Sequence, residues 1–153
     1  MYNKNIMSTK ISVKCKTSEG AITPEYKTAG AAGADVCACI DEAVVLKVGE
    51  RKIIPTGLFF EIPEGYEIQV RPRSGLAAKN GVTVLNTPGT IDSDYRGELK
   101  IILINLGNED FTINNKDRIA QIIIAPVTQA NFISSDTLSE TERGIGGFGS
   151  TGV

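Results

Sequence analysis

One short segment concentrates side chains that could carry out acid–base chemistry. Asp92 and Asp94 lie two positions apart, Tyr95 follows them directly, and a Pro88–Gly89 turn precedes all three. Two carboxylates and a phenol within four positions suit water activation and ligand packing, whereas the alternative is a solvated hairpin. The sequence contains no histidine, so any general base must be a carboxylate, lysine, tyrosine or thiol.

A second segment suits the binding of an anion. Arg71 and Arg73 lead into the small residues Ser74 and Gly75. Backbone N–H groups at such a turn, with a hydroxyl and guanidinium groups nearby, can hold phosphate oxygens. A plain structural turn is the alternative. Asp35, which opens a short apolar segment, is a further candidate, and its alternative is a turn aspartate.

The C-terminal segment differs in composition from the rest of the chain. Residues 134–142 are polar, and Arg143–Gly152 contains five glycines. Its glycine spacing matches the letters of a dinucleotide-binding fingerprint, but too few residues follow for the helix which that fingerprint needs. We expect a flexible tail in which Arg143 pairs with phosphate and Phe148 stacks on a flat ring. A disordered tail without a ligand role is the alternative.

The elements that must position these residues are mostly strands. Tyr66, Ile68 and Val70 alternate with polar residues, which predicts a strand with one buried face. Residues 99–103 show the same alternation, and the isoleucine-rich run 119–127 predicts a strand buried on both faces. Residues 44–46 and 53–54 predict further short strands, with Gly and Pro residues such as Pro55 and Gly57 as breaks. Many short strands indicate a sandwich or barrel, with one short helix over residues 74–79 that stops at residues 80–81.

Composition sets the broad class. The chain has 153 residues, enough for one domain, and a net charge of −2, which argues against a non-specific nucleic-acid binder. No stretch approaches the roughly 20 apolar residues of a membrane span, and Met1–Lys16 lacks an apolar signal core. We therefore expect a soluble, cytoplasmic protein. The odd count of cysteines argues against a disulfide framework, and strand positions are favoured over a metal pair for Cys37 and Cys39.

Taken together, the chain resembles the trimeric deoxyuridine triphosphatase (dUTPase) family. The resemblance extends from about Gly30 to Gly152 and fits in order and spacing. It implies an all-β, jelly-roll-like antiparallel domain of the β-clip, dUTPase-like type over residues 11–133, with one short helix, a polar extension at 1–10 and a flexible glycine-rich tail at 134–153. It also implies a homotrimer whose active sites are shared between chains and closed by the tail, with Asn131–Ile133 in an arm that packs on a neighbour. The matched stretches are Ala32–Val36, Arg73–Ala77, Asn86–Gly97, Asp117–Gln121 and Arg143–Gly152.

The resemblance also implies a reaction and residue roles. dUTP would be hydrolysed to dUMP and pyrophosphate, which keeps uracil out of DNA and supplies dUMP for thymidylate synthesis. Asp92 would activate the water that attacks the α-phosphorus, and Mg²⁺ would be held by the triphosphate and water, with no direct protein ligand. Tyr95 would exclude a 2′-hydroxyl, and Asp35 would arrange metal-bound water. The other substrate-binding residues implied are Asn86, Gly89, Thr90 and Ile91 around uracil, Phe148 and Gly149 over it, and Arg73, Ser74, Gly75, Gln121, Arg143, Ser150 and Thr151 along the phosphates.

Three other functions compete with this interpretation. A dCTP deaminase of the same superfamily would share the fold, but Asp92–Tyr95 and the complete tail fit the dUTPases better. A non-catalytic, dUTP-binding regulator conflicts with the presence of Asp92. A structural jelly-roll protein would leave both the aspartate cluster and the tail unexplained.

Overall fold

In the described part of the chain, two four-stranded antiparallel sheets and one two-stranded ribbon make up the fold. The structure, a computed structural model, describes residues 10–149. The first sheet has the strand order β1-β4-β8-β6, the second has the order β2-β10-β5-β7, and β3 pairs with β9. The elements are β1 (Lys14–Thr17), β2 (Ala34–Cys37), β3 (Val44–Leu46), β4 (Arg51–Glu61), β5 (Tyr66–Arg71), α1 (Ser74–Asn80), β6 (Val82–Val84), β7 (Gly89–Ile91), β8 (Glu98–Asn105), β9 (Phe111–Ile113) and β10 (Arg118–Pro126).

The two sheets contribute to one apolar core. Leu99, Ile101 and Leu103 point inward from β8, while Ile68 and Val70 do so from β5, and all five are buried in the same cluster. Each such side chain contributes about 1.5–3 kcal/mol by leaving water. The alternating patterns therefore predicted the correct inward faces.

The connectivity is that of a jelly-roll-like domain. Within residues 10–149, no two strands that are hydrogen-bonded neighbours in a sheet are consecutive in the sequence, so the chain crosses repeatedly between the sheets. This arrangement, with one seven-residue helix, confirms the predicted all-β class. No helix in the described range has the length and apolar character that crossing a membrane requires.

The predicted strand breaks at Pro55 and Gly57 are wrong. β4 continues through both residues, and its register with β8 shifts between Pro55 and Leu58. Gly57 takes a φ of 67°, and the buried Thr56 hydroxyl donates to the Leu99 carbonyl at 2.5 Å. A β-bulge of this kind absorbs residues that a regular ladder would exclude.

The isoleucine-rich strand β10 differs in part from its prediction. Ile119, Ala120 and Ile122 are buried, as expected for a strand covered on both faces, but residues 123–125 are only half-buried. The strand also ends at Pro126 instead of Val127. In the single chain, its second half is therefore incompletely covered.

The short helix α1 ends where the sequence predicts. Gly81 adopts the left-handed conformation with a φ of 67°, and its N–H donates to the Ala77 carbonyl at 3.1 Å. A Cβ on Gly81 would lie 2.5 Å from the Cα of Gly107, so the helix end and the turn after β8 pack backbone against backbone. Only glycine allows this contact.

The turn after β8 is held by a buried asparagine. The Asn105 side-chain Nδ2 donates to the carbonyls of Leu46, at 2.9 Å, and Glu109, at 2.8 Å, and its Oδ1 accepts the N–H of Gly107 at 2.9 Å. Asn105 is fully buried. One polar side chain thus satisfies three backbone groups of β3 and the turn.

The segment after β10 carries no helix or strand in its described part. Residues 127–149 are mostly exposed, including Phe132 at 94% and Leu138 at 90%. The division into a 1–10 extension, an 11–133 domain and a 134–153 tail stays a prediction, as does the packing of Asn131–Ile133 on a neighbour.

Candidate active site

Strands β2 and β10, with the turn between β5 and α1, bring Asp35 together with two arginines. Arg118 Nη1 donates to one carboxylate oxygen of Asp35 at 3.0 Å, and Arg73 Nε lies 3.4 Å from the other. Arg73 also donates to the Arg118 carbonyl at 3.1 Å. Because two guanidinium groups share one carboxylate, the cluster keeps one excess positive charge, which favours an anionic ligand.

Arg118 was missed as a functional residue from the sequence, although it lies within a matched stretch. Its signal was a cation at the start of an otherwise apolar strand. In the structure it faces Cys37 across the β2–β10 ladder, beside Asp35.

Gln121 is held beside the phosphate-binding turn predicted at Ser74. Its side-chain Nε2 donates to the Pro72 carbonyl at 2.9 Å. A Cβ on Gly33 would lie only 2.1 Å from the Gln121 Oε1, so the glycine leaves the space that this amide occupies. The observed contact supports the turn, and a direct contact of Gln121 with phosphate stays a prediction.

The first turn of α1 exposes Ser74 and Gly75. Arg73 is the N-cap residue, and it makes no side-chain capping hydrogen bond. The first N–H groups of a helix have no partner within the helix and can donate to an anion. Among residues 10–149, no heavy atom apart from the chain neighbours and the helix backbone lies within 4 Å of a Cβ built on Gly75, so a ligand can approach the backbone there.

The predicted uracil pocket is a hairpin on the opposite side of β5. Gly89, Thr90 and Ile91 form β7, which pairs with residues 68–70 of β5. Gly89 is buried, and a Cβ there would lie 3.3 Å from the Asn86 Nδ2. Thr90 is exposed, while Ile91 packs against the core. The structure therefore brings the four residues together, and their contact with uracil stays a prediction.

Asp92 follows β7 and is exposed. Its carbonyl accepts the N–H of Tyr95 at 3.2 Å, while Arg96 donates to the carbonyls of Ser93, at 2.7 Å, and Tyr95, at 3.1 Å. Asp92 and Asp94 line an open groove of about 1000 Å³. In the described part of the chain, no hydrogen bond or ion pair engages the Asp92 carboxylate, so it is available to a water molecule.

The side chain of Tyr95 is anchored at its far end. Its hydroxyl donates to the Glu98 carbonyl at 3.1 Å, and the residue is 46% exposed. The exposed part leaves a ring surface available to a ligand. The role of Tyr95 against deoxyribose stays a prediction.

A single chain keeps Asp92 apart from the phosphate-side residues. Strand β2, with Asp35, and strand β7, before Asp92, are opposite edges of the second sheet, three strand steps or about 14 Å apart. Asp92 also lies near the start of β5, whereas Ser74 follows its end at Arg71, roughly 10 Å further along. The structure therefore forms two half-sites.

The tail residues form a third, separate group. Arg143 Nε donates to the Gly146 carbonyl at 2.8 Å, and Phe148 is fully exposed. For residues 134–149, the hydrogen bonds in the structure join partners within the same segment. Gly149 has a φ of 84°. Ser150 and Thr151 lie outside the described residues, so their predicted phosphate contacts stay predictions.

Cys15 and Cys37 lie in strands β1 and β2, but the predicted strand position of Cys39 is wrong, because β2 ends at Cys37 and Cys39 lies in the loop that follows it. Burial, and secondarily the Asp35 carboxylate, raise the pKa of the Cys37 thiol, while burial raises the pKa of the Cys15 thiol. Both thiols are therefore less ionised at neutral pH than a free cysteine. Residues 10–149 contain no group of three or more Cys, Asp or Glu side chains placed to hold a metal ion.

Comparison with known proteins shows that the chain is similar to dUTPases over nearly its whole length. A family model described as dUTPase matches residues 19–152. The chain is 64% identical over 138 residues to a deoxyuridine 5′-triphosphate nucleotidohydrolase of Treponema denticola, covering 90% of this chain and 96% of that one.

Two solved structures are also similar. One is a mutant of the Staphylococcus bacteriophage 80alpha dUTPase with dUpNHpp, at a TM-score of 0.84 and 28% identity, covering 94% of this chain and 100% of that one. The other is a mutant dUTPase from phage phi11 of S. aureus, described with a structural Mg(II) ion, at a TM-score of 0.74 and 25% identity, covering 83% of this chain and 98% of that one.

Proposed function

Since this chain belongs to the dUTPase family, we propose that it hydrolyses dUTP to dUMP and pyrophosphate with Asp92 as the general base. The observation that carries the assignment of Asp92 is its environment. The carboxylate is exposed on an open groove, while its own backbone carbonyl is fixed by the Tyr95 N–H at 3.2 Å. A general base must be able to reach water and must be held in place, and Asp92 meets both requirements.

In the proposed reaction, Asp92 accepts a proton from a water molecule as its oxygen attacks the α-phosphorus. The new P–O bond forms as the bond from the α-phosphorus to the bridging oxygen breaks, and pyrophosphate leaves with that oxygen. Most of the rate enhancement comes from positioning and from neutralising charge, since pyrophosphate is already a good leaving group.

The phosphate chain would be bound by the half-site around Asp35. The N–H groups at Ser74 and Gly75 are open to an anion, and the two arginines on Asp35 carry one excess positive charge. In this proposal Arg73 and Gln121 hold the turn in place through their hydrogen bonds to the carbonyls of Arg118 and Pro72. Arg143, Ser150 and Thr151 of the tail would contact the terminal phosphate.

Base and sugar would be recognised by the hairpin. Asn86, with Gly89, Thr90 and Ile91, presents backbone and amide groups in a narrow space, which suits hydrogen bonding to the uracil edge. Tyr95 would pack on deoxyribose and leave no room for a 2′-hydroxyl. From the tail, Phe148 and Gly149 would cover the uracil ring.

The donor set suits a Mg²⁺ ion that arrives with the nucleotide. The carboxylate of Asp35 is shared by two arginines, and the described chain contains no cluster of three metal-binding side chains. Mg²⁺ commonly keeps several waters and binds through substrate phosphates. Bound in this way it would neutralise phosphate charge, and Asp35 would help to arrange its water ligands.

A homotrimer with shared sites explains why the half-sites lie apart. Because Asp92 lies at the opposite edge of the sheet from Asp35 and at the opposite end of β5 from Ser74, we infer that a triphosphate does not use all three within a single chain. Contact between the Asp92 groove of one chain and the Ser74 turn of another would complete the site. The half-covered second part of β10 is consistent with burial against a neighbour.

The function is tested by measuring pyrophosphate release from dUTP, dCTP, dTTP and UTP, each with Mg²⁺ and with a chelator. Metal-dependent release from dUTP alone supports the proposal. Tight dUTP binding without release would favour the regulator, and ammonia from dCTP would favour the deaminase.

The role of Asp92 is tested by a pair of variants in one loop. Asp92→Asn should keep dUTP binding but lose most turnover, about 10²–10⁴-fold, because the amide cannot accept the proton. Asp94→Asn removes the same charge from the same groove and should keep most turnover. Equal losses in the two variants would show that the loop's charge matters and that Asp92 is not the base.

A further inference from the structure

Gly97 leaves room for the ring of Tyr95 because it has no side chain. A Cβ built on Gly97 would lie 2.3 Å from the Tyr95 hydroxyl oxygen, 2.5 Å from Cζ and 2.9 Å from Cε2. Real Cβ atoms do not approach other atoms so closely. The ring of Tyr95 therefore occupies the volume that any other residue at position 97 would fill.

The backbone gives no other reason for glycine at this position. Gly97 is not among the glycines with a positive φ, so other residues could adopt its backbone conformation. Among the described residues, the three atoms nearest to a Cβ at position 97 all belong to the ring and hydroxyl of Tyr95, so the space for this ring is what requires glycine there. This separates Gly97 from glycines such as Gly57 and Gly81, whose φ values are 67°.

The hydrogen-bond acceptor for Tyr95 is itself firmly held. Glu98 begins β8 and pairs with Phe59 of β4, and its carbonyl accepts the Tyr95 hydroxyl at 3.1 Å. The Glu98 carboxylate accepts the N–H of Gly57, at 2.9 Å, in the β4 bulge. If the Tyr95 hydroxyl were displaced, it would lose this hydrogen bond, because the Glu98 carbonyl is held in place by the sheet.

We propose that Gly97, together with the Glu98 carbonyl, is a positioning element that sets the discrimination between deoxyribose and ribose by fixing the ring of Tyr95. The proposal rests on the proposed function, in which Tyr95 faces the sugar. A ring that excludes one hydroxyl must be placed to within a fraction of an ångström, since the excluded group is itself only one atom in size. Gly97 provides the space, and Glu98 provides the fixed point.

The experiment compares kcat/KM for dUTP and for UTP in Gly97→Ala and in Gly30→Ala. Gly30 is the matched control because it also lacks a positive φ, and a Cβ there meets no atom of the described chain within 4 Å beyond its two neighbours. Gly97→Ala should lower the dUTP-to-UTP ratio on the order of tenfold or more. Gly30→Ala should leave the ratio unchanged. An unchanged ratio in a folded, active Gly97→Ala enzyme overturns the proposal.

A double-mutant cycle distinguishes positioning from a general structural effect. In a Tyr95→Ala background, Gly97→Ala should change the ratio no further, because the ring on which it acts is gone. A further, additive loss in that background would contradict the proposal. A wild-type protein that does not hydrolyse dUTP would instead refute the proposed function.

Tyr95→Phe gives an independent measurement if Gly97→Ala does not fold. This variant removes the hydrogen bond to Glu98 and leaves the ring in its space. The ratio should fall by less than in Tyr95→Ala but should remain clearly below that of the wild type. A wild-type ratio in Tyr95→Phe would show that the Glu98 carbonyl does not fix the ring.

Discussion

Replacing the buried Asn105 by alanine should cost the fold far more than its single side chain suggests. The substitution leaves two carbonyls, of Leu46 and Glu109, and the N–H of Gly107 without their partner. A buried backbone group without a partner costs about 1–3 kcal/mol. The Leu46 contact is fully buried, whereas water can reach the other two in part, so we expect a total loss of about 3 kcal/mol.

Urea denaturation followed by circular dichroism measures this loss as a shift of the midpoint. Thermal denaturation gives a second measurement, in which a loss of about 3 kcal/mol corresponds to a fall in Tm of roughly 6–12 °C for a domain of this size. All variants should be compared at one protein concentration, because the proposed assembly of chains would stabilise the fold by mass action.

Asn108→Ala is the matched control for Asn105→Ala. Asn108 lies in the same turn, is exposed, and makes no side-chain hydrogen bond within residues 10–149. Its loss should change the free energy of unfolding by at most about 0.5 kcal/mol. A loss below about 1 kcal/mol for Asn105→Ala would refute the reasoning, because it would mean that the orphaned groups are satisfied without cost.

Two further predictions concern acid stability and the tail. The hydrogen bond from the Lys47 N–H, and secondarily the charge of Lys52, lower the pKa of the Glu50 carboxyl below its usual 4.5. Glu50 therefore stabilises the fold above pH 4.5, and this stabilisation is lost as the pH falls through the lowered pKa. Glu50→Gln should therefore flatten the acid limb of a plot of Tm against pH, and an unchanged limb would contradict this role. Deleting residues 143–153 should slow dUTP hydrolysis and leave the assembled size in gel filtration unchanged, because the described tail bonds only within itself. A monomeric or unfolded product would contradict the proposed function of the tail.

Strand positions could be predicted wherever burial is one-sided. The alternation at Leu99, Ile101 and Leu103 gave the inward face of β8 because a period of two is imposed by the pleat. The same period places Asn105 on that inward face, so its burial also follows from the sequence pattern. The bulge at Pro55 was not predictable in this way, because its partners, the Leu99 carbonyl and the Glu98 side chain, come from a strand more than 40 residues later.

For the candidate site too, some residues could be proposed from the sequence, whereas the contacts between them could not. Resemblance to a family made Asp92, Tyr95 and the Ser74 turn candidates, and their roles stay predictions. It could not show that Arg118 shares Asp35 with Arg73, because such a contact depends on the pairing of β2 with β10. Spacing in sequence also gave no sign that Asp92 and Ser74 lie at opposite ends of β5.

That separation of half-sites has a genetic consequence. If sites are shared as proposed, a chain lacking Asp92 and a chain lacking the Ser74 turn would each be inactive alone. When both are expressed in one cell and assemble together, some sites would combine the intact halves of the two, and the alleles would complement each other. In mixed assemblies with the wild type, the sites that take Asp92 from a wild-type chain would stay active. An allele without Asp92 should therefore be recessive.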